Sequence, residues 1–125
     1  MNILSKDQIL LMHQALIERF GGIHGIRDEG LLSSALNAPF QSFDNKDLYP
    51  TIAEKAVRLG YGLVMNHPFY DGNKRIGALA MMTILGLNNM EIHTSSAELA
   101  SAFLRVASGD LTNDELLQWV LSRLE

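Results

Sequence analysis

No cysteine occurs among the 125 residues, so disulfides and thiolate metal sites are excluded. The N-terminal stretch "MNILSKDQIL" lacks a basic region followed by an apolar run and a small-residue cleavage site, and it does not read as a secretory signal. Long hydrophobic runs are missing too. The longest near-uninterrupted one, Ile76 to Leu87, is too short to span a bilayer, so a cytoplasmic protein without a membrane partner is the expectation. An excess of basic residues is also absent. The formal net charge is −4, with no block of like charges, which argues against broad nucleic-acid binding because that needs a basic face to displace counterions. No internal repeat, low-complexity tract or domain boundary stands out. A chain of 125 residues can bury a real core by itself, so one domain over 1–125 is expected.

Helix signals dominate what is present. Four places carry Ser or Thr followed three residues later by Glu or Gln, the capping-box pattern: Ser5 with Gln8, Thr51 with Glu54, Ser95 with Glu98, and Thr112 with Glu115. After the first, Ile9, His13, Leu16, Ile17 and Phe20 fall on one face, and Gly21-Gly22 stops the helix. A short helix from about Asp28 to Asn37 turns Leu31, Leu32, Ala35 and Leu36 inward. Two further apolar stripes follow, Leu99 to Val106 and Leu116 to Leu124. The segment "APFQSFDNKDLYP" has no helical period and lies between two prolines, so it reads as an extended or hairpin-like loop near 39–49.

Thr51 opens a longer helix that must end at or just before His67, because Pro68 disfavours α geometry at the preceding residue. The next helix, about 73–87, is apolar on every side from Ile76 onward and is therefore expected at the buried centre. The methionines at 65, 81, 82 and 90 read as core fillers. His13, His24 and His93 lack the spacing of a helical metal site and read as structural or surface residues. The fold class is all-α, about six helices.

Between the two long helices stands "HPFYDGNKRIG", 67–77. It delivers the chain into a helix N-terminus, where unpaired amides and the helix dipole favour an anion. Gly72 allows close backbone approach. Lys74 and Arg75 sit in a first turn that disfavours cations, a placement that makes sense if an anion comes there. Asp71 puts a hard carboxylate beside that anion, which suits Mg²⁺ on a nucleotide's phosphates. His67 carries the loop's one imidazole, the side-chain type most used as a general base, and is the natural candidate for that role. Together these are the parts for moving a phosphorus-containing group from a nucleotide to a hydroxyl.

The stretch resembles the signature of the Fic/Doc family, HxFx[DE]GN[GK]R, at His67, Phe69, Asp71, Gly72, Asn73, Lys74 and Arg75. The upstream "GGIHGIRDEGLLSSAL" and the loop before Pro50 look similar to the family's Doc branch. The resemblance implies a compact helical bundle with His67 as catalytic base and Phe69 as the loop's anchor in the core. It implies Asp71 as the Mg²⁺ ligand, and Gly72, Asn73, Lys74 and Arg75 on the phosphates of ATP. Phe40, Gln41, Ser42, Phe43 and Asp44 would belong to a flap that aligns a target protein. Adenylylating members typically continue GNGRxxR, whereas here Lys74 replaces the second glycine and Ala78 the later arginine. Both departures are shared with Doc toxins, which act as kinases, and they favour phosphoryl over AMP transfer. Gly72 leans the other way, since Doc itself has alanine there. No inhibitory [ST]xxxE[GN] segment is found, because Leu99 follows Thr94 and Glu98. The implied partners are thus a Phd-type antitoxin and, by analogy, the translation factor EF-Tu as protein substrate.

Overall fold

The computed structural model describes residues 1–124, and among them six α-helices form the bundle. They are α1 (Lys6–Phe20), α2 (Glu29–Asn37), α3 (Ile52–Asn66), α4 (Asn73–Leu87), α5 (Ser96–Ala107) and α6 (Asn113–Leu121). All four expected capping boxes are formed, each with the Ser or Thr oxygen on the N3 amide and the N3 side chain returning to the cap. Asp28 caps α2 through the Leu31 amide. Five of six helix starts are thus written locally in the sequence.

The expected central helix has its expected bounds, but it shares the centre. α3 is buried at nine positions, touches α2, α4, α5 and α6, and runs closest along α4. The two meet at glycine. A Cβ built on Gly77 would lie 2.8 Å from the Gly60 carbonyl oxygen and 2.8 Å from Val64 Cγ2, so the backbones themselves are in contact. α4 is not covered all round, since Leu79 and Leu87 are exposed on its outer side. Around the pair, Ile9, Leu32, Leu63, Phe103, Leu116 and Val120 complete one core cluster.

Among the methionines, Met81 is fully buried and Met82 and Met90 pack half-buried against the core. Met65 departs from the expectation. It lies on the outward side of α3, 46% exposed, because its position in the last turn faces the cavity beside His67 rather than a neighbouring helix.

The loop after α2 is hairpin-like, as its composition suggests. A 3-10 turn, Ala38–Phe40, leads into β1 (Ser42–Phe43) and β2 (Lys46–Asp47), which pair antiparallel with Ser42 opposite Asp47. The reversal falls on Asp44 and Asn45 at φ 53 and 61, the left-handed pair that a two-residue hairpin turn demands and that these residue types tolerate. Phe43 at the tip is 77% exposed. At the base, Lys55 of α3 is 5% exposed, donates to the Pro39 carbonyl at 3.1 Å, and lies 3.8 Å from an Asp47 carboxylate oxygen. No helix among the described residues is long and apolar enough to cross a membrane.

Candidate functional site

The site begins where α3 stops. His67 occupies the C-cap with φ 50 and ψ 53, a left-handed conformation that is uncommon for a residue with a Cβ. Pro68 and Phe69 then turn the chain inward, and Phe69 is 1% exposed. The Phe69 N–H donates to Asn73 Oδ1 at 3.0 Å, and Asn73 Nδ2 donates back to the Phe69 carbonyl at 3.0 Å. This reciprocal pair closes the loop. Both the oxygen and the nitrogen of the Asn73 carboxamide take part in it, so this buried side chain holds the loop closed.

Gly72, at φ 79, stands at the N-cap of α4 with no side chain to cap the helix. The contrast with the five capped helices is sharp: among the described residues α4 alone enters its first turn with no side-chain acceptor. Unpaired amides at such an end attract anions. Lys74 and Arg75 follow immediately, both exposed.

Asp71 is held from three sides. Its Oδ2 accepts the Ile23 N–H at 2.6 Å, and its carbonyl accepts from His13 at 2.7 Å. Gly22 backs it so closely that a Cβ there would come within 3.0 Å of the Asp71 Cβ. His13 is buried, and its ring stacks on Phe69 with centroids 3.7 Å apart and planes 11° apart. Burial holds the His13 pKa below its ordinary value of 6.5, so the ring is neutral near pH 7 and Nε2 carries the proton that meets the Asp71 carbonyl.

The sign of its effect on stability follows. Between the lowered folded value and 6.5 the unfolded chain binds a proton that the folded one does not. His13 therefore contributes stability above 6.5 that is lost as pH falls through the folded value. Denaturant titrations should give an unfolding free energy that declines below 6.5, with a shallower decline in His13→Gln.

Two cavities meet on the ridge 71–74. One, of about 300 Å³, is lined by Met65, His67, Tyr70, Asp71, Gly72 and Lys74, among others. The other is a groove of about 810 Å³ that shares Asp71 to Lys74, adds Arg75 and runs along α4 between α1 and α5. Arg75 turns toward this groove, with its guanidinium 4.5 Å from the Phe20 ring centroid. The loop thus brings His67, Asp71, Gly72, Asn73 and Lys74 to one cavity, while Arg75 lines the other. Phe40, Gln41, Ser42, Phe43 and Asp44 line neither.

Sequence reading missed His13, Gly22, Ile23 and Arg27 as neighbours of the loop. His13 carried one signal, its place on the inward face of α1 among apolar residues.

A family model described as "Fic/DOC family" matches residues 3–85, about two thirds of the chain. The chain belongs to the Fic/DOC family. Its matched part takes in α1 to α3, the loop and most of α4, whereas α5 and α6 lie beyond it. The chain is similar to "Toxin Doc" of Mycolicibacterium smegmatis, at 38% identity over 73 residues, which covers 58% of this chain and 56% of that protein. It is also similar to "Protein kinase doc" of Escherichia phage P1, at 27% identity over 115 residues, covering 90% of this chain and 87% of that one. Its match to the first of these relatives therefore spans little more than half of that protein's length.

Proposed function

We propose that this Fic/DOC chain is the toxin of a toxin–antitoxin pair, acting as a Mg-ATP-dependent kinase on a hydroxyl of a target protein and so inhibiting translation. The observation that carries the reading is the meeting of His67 with the uncapped start of α4 and with Asp71 on one cavity. His67 takes the proton of the target hydroxyl as that oxygen attacks the γ-phosphorus of ATP. The new P–O bond forms while the bond to the β,γ-bridging oxygen breaks, and ADP leaves. The first amides of α4 receive phosphate oxygens, and Lys74 and Arg75 offset their charge.

The donor set suits Mg²⁺. The Ile23 N–H takes one Asp71 oxygen, which leaves the other for a cation. No group of three or more His, Asp or Glu among the described residues could hold a metal by itself. A cation here would draw on Asp71, phosphate oxygens and water, the mixed shell Mg²⁺ adopts. When bound, Mg²⁺ would neutralise charge on the β- and γ-phosphates.

Phosphoryl transfer is favoured by Lys74, which lines both cavities, and by Ala78 in place of an outer arginine. The name of one relative, a protein kinase, supports this reading, and the name of the other supports the toxin role. AMP transfer is the second reading, favoured by Gly72, and a non-catalytic antitoxin-binding module is the third. The intact set of His67, Asp71 and Arg75 speaks against the last. A Phd-type antitoxin is the proposed restraint, and EF-Tu is the proposed target by analogy alone.

The test is label transfer: purified protein, Mg²⁺, a host lysate, and ATP labelled at the α or the γ phosphorus. A target band from the γ label only is expected. A band from the α label would mean AMP transfer, and no band from either would remove the enzyme reading.

A further inference from the structure

α3 ends differently from the other helices. In α1, α2, α4, α5 and α6 the C-cap N–H bonds back to a carbonyl of the helix's own last turn. α3 makes no such bond and has no basic residue in its last turn. Its terminal carbonyls should therefore be orphaned at the negative end of the helix dipole.

They are satisfied from outside. Arg27, in the segment before α2, donates Nε to the His67 carbonyl at 2.7 Å and Nη2 to the Asn66 carbonyl at 3.2 Å. The backbone continues the contact: the Arg27 and Asp28 amides both donate to the Pro68 carbonyl, at 2.7 and 3.1 Å. Three successive carbonyls, 66 to 68, are gripped by two successive residues. On the other side, Asn66 Nδ2 donates to the Leu31 carbonyl in the first turn of α2, which Asp28 caps. The end of α3 and the start of α2 are thereby tied into one ring of hydrogen bonds.

A non-glycine residue in the left-handed region persists only where its surroundings over-determine it. At His67 the over-determining groups are Pro68 on the chain and Arg27 across it. We propose that Arg27 is a positioning residue for His67: its guanidinium replaces the missing C-cap of α3 and fixes the left-handed backbone from which the imidazole reaches the cavity. An arginine suits this task because its planar fork meets two carbonyls at once, whereas a lysine can offer only a point charge. The inference rests on the proposed role of His67 as base and adds the group that aims it.

The test compares wild type with Arg27→Gln and Arg27→Lys. With γ-labelled ATP and a saturating target, Arg27→Gln should lower kcat by about 10- to 100-fold, the usual penalty for misplacing a catalytic group by roughly an ångström. The KM for ATP should stay within about twofold, because the phosphate end of α4 lies across the loop. Arg27→Lys should recover part of kcat. A kcat within about twofold of wild type in Arg27→Gln overturns the proposal, and so does a loss carried by KM for ATP.

A second readout needs no turnover. The ¹³Cα and ¹³Cβ shifts of His67 report its left-handed backbone, and Arg27→Gln should move them toward averaged values. If wild type transfers no label, the kinase reading fails and these shifts alone decide whether Arg27 sets the His67 backbone. Unchanged shifts overturn it.

Discussion

Replacing His67 by alanine should leave the fold intact and lower phosphoryl transfer by a factor of about 10² to 10⁴, the range that general acid–base groups contribute. The fold is spared because the His67 side chain is exposed on the cavity wall. Its backbone role also survives, since the carbonyl that Arg27 grips is present in alanine. The thermal midpoint should therefore stay within a few degrees of wild type while the γ-label band disappears. A His67→Ala protein as active as wild type would remove the histidine from the chemistry and leave only the anion end of α4 to account for the loop.

The second large effect lies at the crossing of α3 and α4. Alanine normally strengthens a helix relative to glycine by about 1 kcal/mol. At Gly77 the new methyl would meet the Gly60 carbonyl oxygen at 2.8 Å, and at Gly60 it would meet the Gly77 carbonyl oxygen at 2.9 Å. Backbone atoms cannot rotate aside as a side chain can, so the two helices must separate. Gly77→Ala should therefore destabilise by about 3 kcal/mol, the upper part of the overpacking range. That corresponds to a fall in melting temperature of roughly 10 °C for a chain of this size. Gly86→Ala is the control. It lies on the exposed end of the same helix with nothing within 4 Å of its would-be Cβ, and it should be neutral or stabilising. Equal effects at both glycines would mean the crossing is not limited by backbone contact. The consequence reaches the loop, because one helix of the pair ends at His67 and the other begins after Gly72.

The helices were legible because their starts are local chemistry. Ser5, Thr51, Ser95 and Thr112 each find their partner three residues on, within the reach of a pattern read along the chain. The end of α3 was legible for the same reason, since Pro68 restricts its immediate neighbour. His67, Asp71 and the basic pair could be read as a loop aimed at an anion because they are contiguous. Their supports could not. His13 meets Asp71 across 58 positions and Arg27 meets His67 across 40, and no periodicity encodes such a pairing. His13 looked bland because a lone histidine among Ile9, Leu16 and Ile17 is what a satisfied core histidine looks like. The misreading of Met65 has another cause: a three-to-four residue repeat locates an apolar side chain on a helix but does not say where packing gives way to a cavity.

The uncapped start of α4 also limits how this molecule can change. An engineer, or mutation under selection for sturdiness alone, would look to that helix first, because supplying a missing cap usually adds about 1 kcal/mol. At Gly72 the left-handed φ of 79 already resists the residues that cap well, whose backbones are extended. Where a serine or aspartate were nonetheless forced in, it would occupy the amides with an oxygen that never leaves. On the proposed reading of these amides as the phosphate cradle, robustness and usefulness are opposed at this one residue, so sturdier variants should come from changes elsewhere in the bundle.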